Sequence, residues 1–405
     1  MKTTQLLTTV AAATLALGIG SATAENAPGI TDTEIKIGNT NPYSGPASSY
    51  STIGKSIGAC WNMVNAEGGI NGRKINWISY DDGYSPPKTK EQIRKLVEKD
   101  KVALTFQTLG TPTNSAIHRY MNKKKVPHLF VATGATKWGQ PDKFPWTMGF
   151  QPNYQTIGRI FGNYILQNHP KSKVAVLFQN DDYGKDYVIG VKDAMGDQYA
   201  KMVVKEESYE VTDPTVASQI ISLKNSGADV LVNISIPKFA AQAIKKMDAI
   251  GWKPVHLLND VAATIKATYT PAGLDKSKGI LSVTYLKDPN DPEWANDPEI
   301  KAWRAFMTKY YPKGDRANAF NVYGWAVCSL MIDVLERAGD NLSRDNIMKM
   351  AASFKKFRVR GTLPGIVANT GPADFYPVEQ MQMVRFDGKG NVRFGPIISA
   401  ETSSE

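Results

Sequence analysis

Two short segments concentrate hydroxyls and bare backbone where a small molecule could be held. Gln107 to Asn114 reads QTLGTPTN, directly after the apolar run VALTF, and Val131 to Gly139 reads VATGATKWG, after a second apolar run. Within them Leu109, Gly110, Thr111, Thr113, Gly134, Ala135 and Thr136 offer N–H groups and hydroxyls, and no charge. A helix N-terminus supplies unpaired N–H groups and partial positive charge, and threonine hydroxyls add donors. Such loops suit an anion bound without a basic side chain, so that release stays possible. The competing reading is that Thr111 and Thr136 only cap the helices that follow.

Other chemistry is poorly served. Tyr50-Ser51-Thr52-Ile53-Gly54-Lys55-Ser56 looks like the end of a phosphate-binding loop, but Ser49 stands where the first glycine must let the backbone curl. No nucleophile elbow and no zinc-binding helix motif occurs. His118, His128, His169 and His256 lack metal-ligand spacing, so no metal and no cofactor is expected. Asp81-Asp82 and Asp181-Asp182 are carboxylate pairs, yet neighbours on a strand or turn point apart, and loop capping is the simpler role. An exported enzyme using Asp81 or Asp181 as base is the rival reading; a binding protein without catalysis is the favoured one.

The elements that must position these loops alternate in type. Strands are predicted at 34–39, 75–80, 102–106 and 127–131, with helices at 53–67, 89–100 and 114–124 between them. The pattern restarts after Trp146, with helices at 154–167, 185–195, 216–226 and 239–250. Strands at 174–178, 203–209, 230–234 and 255–258 alternate with them, and Asp213 is a candidate N-cap. Helix–strand alternation of this kind implies parallel sheets covered on both faces. A strand at 280–285, three helices between 298 and 354, and a glycine-turned hairpin at 381–398 complete the chain. The fold class is α/β, and 405 residues are too many for one core.

The first residues, MKTTQLLTTVAAATLALGIGSATA, carry one charge, an apolar stretch and small residues at Ala22-Thr23-Ala24, the pattern of a cleavable secretory signal. The chain holds 48 basic and 38 acidic side chains, spread out rather than gathered, with no nucleic-acid signature. Cys60 and Cys328 each lie in an apolar helical stripe and read as two unpaired core thiols, although a long-range disulfide is open to an exported protein.

The run Asn65-Ala66-Glu67-Gly68-Gly69-Ile70-Asn71-Gly72-Arg73, with Tyr43-Ser44-Gly45, Asp81-Asp82, Asp182-Tyr183-Gly184 and Leu335-Glu336-Arg337-Ala338-Gly339, is similar to the leucine/isoleucine/valine-binding family of periplasmic solute-binding proteins. The resemblance covers most of the chain after the signal. It implies two Rossmann-like doubly wound lobes, joined by a hinge of three crossings, with a ligand cleft between them. The lobes would comprise 31–148 plus 281–355 and 149–280 plus 356–405, after a signal at 1–24.

The resemblance also implies roles. The loops at 109–113 and 134–136 would hold a ligand carboxylate. Tyr183 would close over the ligand from the second lobe, Asp260 would take an α-ammonium, and Tyr43 and Tyr285 would wall the side-chain pocket. Ser235-Ile236-Pro237-Lys238 departs from the Tyr- and Gly-rich stretch of many amino-acid binders. A non-amino aromatic or aliphatic acid is therefore the alternative to a branched-chain or other hydrophobic amino acid. The expected protein is a periplasmic monomer that hands a small carboxylate to an inner-membrane ABC permease, or that feeds a chemoreceptor.

Overall fold

The computed structural model describes residues 26–399, so the expected signal segment at 1–24 lies outside the described residues. The first sheet has the order β2-β1-β3-β4-β5 and is wholly parallel. Its strands are β1 (Glu34–Asn41), β2 (Lys74–Asp81), β3 (Leu104–Phe106), β4 (His128–Val131) and β5 (Thr147–Gly149). The helices α1 (Ser51–Ala66), α2 (Pro86–Arg94) and α3 (Thr111–Lys123) connect the first four. β3 and β4 are buried throughout because parallel strands are covered on both faces.

The second sheet has the order β12-β11-β10-β9-β8-β6-β7. It is entered through α4 (Tyr154–Asn168) and β6 (Val174–Gln179). Then come α5 (Asp182–Met195), α6 (Asp197–Met202), β7 (Val203–Tyr209), α7 (Ala217–Asn225), β8 (Val230–Ile234), α8 (Pro237–Ala249) and β9 (Val255–Leu258). Two short helices, α9 (Thr270–Ala272) and α10 (Leu274–Ser277), lead to β10 (Leu281–Thr284). The run of β8 is fully buried inside the sheet, whereas edge strand β7 exposes Lys205 and Glu206, charges that discourage pairing with another chain.

The chain then returns to the first unit. α11 (Pro298–Tyr310) and α12 (Phe320–Ala338) pack on α1, and α13 (Arg344–Ala351) packs on α12. The hairpin of β11 (Met381–Phe386) and β12 (Asn391–Ile398) ends on the second sheet. The chain thus passes between the units three times: between β5 and α4, between β10 and α11, and between α13 and β11. The expectation that residue 281 opens the return to the first lobe needs correction. β10 pairs with β9 and β11 inside the second sheet, because an apolar period announces a strand without naming its neighbour.

Two further expectations are corrected. Cys60 on α1 and Cys328 on α12 form a disulfide across a Cα–Cα distance of 6.6 Å. Both stripes are buried as read, but each is the other's partner, so the thiols are paired rather than free. Asp213 does not cap α7: its carboxylate accepts from the Glu210 N–H at 2.9 Å in the preceding turn, and α7 starts later, at Ala217.

Candidate functional site

A cavity of about 110 Å³ lies between the two sheets, at the carboxyl ends of their parallel strands. That is where open α/β sheets leave a crevice, because the loops diverge there. The volume suits a small organic molecule rather than a lone water.

One wall comes from the loop after β3. Leu109, Gly110 and Thr111 line the cavity, and Thr111 opens α3, so its N–H has no intrahelical acceptor. Gly110 adopts φ +100°, and a side chain there would collide with the ring of Tyr84, so only glycine fits. Buried amides fix this loop. Asn114 Nδ2 donates to the carbonyls of Thr108 at 2.9 Å and Gly110 at 2.8 Å. Asn39 Nδ2 donates to those of Phe106 and Gln107. The His128 ring, held neutral by burial, sits 2.6 Å from the Thr108 hydroxyl. The Thr111 hydroxyl lies 2.6 Å from that of Thr133, behind the loop.

The facing wall comes from the second sheet. Asp181 caps α5 by accepting from the N–H groups of Tyr183 at 2.9 Å and Gly184 at 3.3 Å, which places Tyr183 over the cavity. The Tyr183 hydroxyl is buried without a hydrogen-bond partner. Tyr154 stacks on Tyr187 at 4.4 Å, and Tyr183 meets both edge-on. The Tyr187 hydroxyl donates to Asp260 Oδ1. Burial raises the Asp260 carboxyl to about 6, against the lowering effect of that bond. No cationic side chain is bonded to it among the described residues.

The tyrosine faces and Asp260 form a surface that suits a positive group, since ring faces carry negative charge. Lys287 also lines the cavity, but its ammonium is held by Asp297 at 2.8 Å and Glu299 at 2.9 Å. Its charge is thereby compensated within the hinge.

Leu109, Gly110, Thr111, Tyr183, Asp260 and Tyr285 therefore meet around one cavity, while five other expected residues do not line it. Thr113 donates its hydroxyl to the Leu109 and Gly110 carbonyls and clamps the loop from behind. Gly134 lies against the Pro152 carbonyl and accepts from the Tyr154 N–H at 2.8 Å. Ala135 is buried beneath the turn that opens at Thr136. Thr136 is occupied elsewhere: its N–H and hydroxyl both donate to Asp186, and the hydroxyl also meets Asn153. Tyr43 bonds the Ser79 hydroxyl under α1.

The rival bases are engaged as well. Asp81 accepts the N–H groups of Tyr43, Ser44 and Gly83, and Asp181 is the helix cap already described. Among the described residues no cluster of metal-ligating side chains exists.

Sequence reasoning missed Tyr50, Tyr84, Gln151, Tyr154 and Tyr323 as lining residues, and Tyr187 behind Asp260. Tyr84 had a usable signal, because it follows the glycine turn at the carboxyl end of β2. Tyr154 and Tyr323 had none, since they reach the cavity from distant helices.

Contacts also close the rim. Thr136 and Lys137 from the first unit meet Asp186 and Asp182 on α5, with Lys137 2.5 Å from Asp182. The Tyr50 hydroxyl donates to the Val261 carbonyl at 3.1 Å across the cleft.

The pattern described as periplasmic binding protein matches residues 34–391. An amino acid binding protein of Pseudomonas aeruginosa is 24% identical over 338 residues, covering 81% of this chain and 84% of that protein. The fold resembles a branched-chain amino acid ABC transporter protein from Thermus thermophilus with bound valine, with a TM-score of 0.81 and 14% identity over 92% of this chain and 98% of that one. It also resembles a fatty acid ABC transporter substrate-binding protein from Thermomonospora curvata, with a TM-score of 0.79 and 21% identity over 94% of this chain and 96% of that one. At such identities these two likenesses speak for the fold alone. The resemblance first carried by Asn65 to Arg73 holds along nearly the whole described length: the chain belongs to the periplasmic binding protein family.

Proposed function

We propose that this protein is the periplasmic solute-binding component of an ABC importer and that its cargo is a hydrophobic α-amino acid. The observation that carries the reading is Asp260, a carboxylate that faces the cavity among tyrosine rings with no protein cation bonded to it. A half-buried carboxylate without a positive partner is costly, and an α-ammonium supplies that partner. The ligand carboxylate then faces Thr111 and the N-terminus of α3, whose dipole favours negative charge. Tyr50, Ile53 and Phe320 provide apolar surface for the side chain.

Binding joins the two lobes, and the membrane permease reads the closed form; no covalent step is involved. Among the described residues no helix is long and apolar enough to cross a membrane.

A second reading, a carboxylic acid without an amino group, is favoured by Ile236, which lines the cavity with apolar surface. Calorimetry with leucine and its des-amino counterpart, 4-methylpentanoate, separates the two. On the amino-acid reading leucine binds at least about tenfold more tightly, and Asp260→Asn removes most of that ratio. Equal affinities in the unaltered protein overturn it in favour of the second reading.

A further inference from the structure

The cavity lining holds a second group of polar residues, remote in sequence from the loop at 109–111. Asp288, from the crossing after β10, belongs to it together with Asn391 at the start of β12 and Thr264 after β9. All three side chains are nine-tenths or more buried. Asn391 Oδ1 and the Thr264 hydroxyl have no hydrogen-bond partner, although buried polar atoms are almost always paired. Asp288 Oδ1 accepts from the N–H and the side-chain amide of Asn290, at 2.9 and 2.8 Å. Neighbouring Lys287 does not neutralise this group, because Asp297 and Glu299 hold its ammonium. The unpartnered atoms are thus an acceptor and a hydroxyl, in a cavity lining that also holds the Asp288 carboxylate. A purely aliphatic tip would leave them desolvated and unpaired, which weakens binding.

We propose that Asp288, Asn391 and Thr264 form a specificity subsite for the far end of the cargo, and that this end carries an N–H or O–H donor. The inference rests on the reading of the cavity as an amino-acid site and narrows it. The body of the cargo is apolar, matching the aromatic walls. Its tip is a hydroxyl or an ammonium, not a methyl group. A site of this kind rejects the analogue that lacks the donor far more strongly than a greasy pocket rejects an extra methylene, because the site's own polar groups are left unpaired.

The test is calorimetry of the unaltered protein with two matched pairs, ornithine against norleucine and tyrosine against phenylalanine. The first pair presents a cationic donor and the second a neutral one, so the preferred pair identifies the donor. The donor-bearing member of at least one pair is expected to bind about tenfold or more tightly than its partner. Asp288→Asn and Asn391→Leu are each expected to erode that ratio severalfold, Asn391→Leu partly by strengthening the donor-free member, which then leaves no amide oxygen unpaired. Circular dichroism checks that the variants fold, and the comparison on the unaltered protein stands even if they do not. If norleucine and phenylalanine bind as well as their counterparts, the subsite is overturned while the amino-acid reading survives. If none of the four binds while leucine does, the subsite falls and the amino-acid reading stands; if leucine fails as well, both fall.

Discussion

Thr136 donates both its backbone N–H, at 2.8 Å, and its hydroxyl, at 2.9 Å, to one carboxylate oxygen of Asp186. The two residues belong to different lobes, the first in the loop after β4 and the second on α5. Lys137 and Asp182 repeat the contact one helical turn away at 2.5 Å. Loop chemistry that looked suited to a ligand carboxylate here holds a protein carboxylate, at the rim of the cleft.

The consequence is a ligand-independent effect. Thr136→Val removes one donor from the closed arrangement and leaves the cavity lining unchanged. It should weaken every ligand by the same factor, corresponding to about 1.5–3 kcal/mol for a bond to a charged group. Calorimetry with leucine and leucinamide checks this. A loss confined to the carboxylate-bearing ligand would return Thr136 to the ligand site.

Asp260 gives a pH dependence with a definite sign. Burial raises its carboxyl to about 6, above the value for an unfolded chain. The contribution of this group to stability is therefore present at low pH and is lost as pH rises through about 6. An ammonium-bearing ligand needs the charged form and reverses that balance. The ligand-induced rise in Tm should accordingly be larger at about pH 7.5 than at about pH 5. Asp260→Asn should flatten the difference, and an undiminished difference in that variant would remove Asp260 from the ligand's first contacts.

Gly110→Ala tests the loop that presents α3. A β-carbon at this φ of +100° meets the Tyr84 ring, so the loop must shift and carry Thr111 with it. Ligand affinity should fall sharply, with stability reduced by about 1–3 kcal/mol. Retained affinity would show that the position of Thr111 is unimportant for binding.

The disulfide between Cys60 and Cys328 closes a loop across a sequence separation of 268 residues. Replacing both with serine should lower stability by about 2–4 kcal/mol in denaturant titration. Thiol titration of the unfolded, unreduced protein should find no reactive thiol at either position. Detection of two would restore the unpaired reading.

The sequence was most informative where local pattern alone decides the outcome. The buried run of β8 and the helical stripes around Cys60 and Cys328 were legible because their period states which face is covered. It does not state by what, and so the pairing of the two cysteines and the place of β10 were lost. The site divides along the same line. Thr111 and Thr136 both sit in loops of glycine and threonine, yet one faces the cavity and the other faces Asp186. Only the packing of α5 against the first lobe distinguishes them. Asp260 and Tyr183 were reached through resemblance, whereas Tyr154, Tyr187 and Tyr323 converge from separate helices and leave no mark in any single stretch of sequence.

The central claim is that an amino acid lies between the lobes with its nitrogen on Asp260 and its carboxylate at the opening of α3. A crystal structure of the protein with bound cargo tests this most directly. The expected result is a ligand nitrogen about 3 Å from the Asp260 carboxylate and ligand carboxylate oxygens about 3 Å from the Thr111 N–H and hydroxyl. A cargo seated outside the cavity, or with its carboxylate turned toward Asp260, would contradict the account.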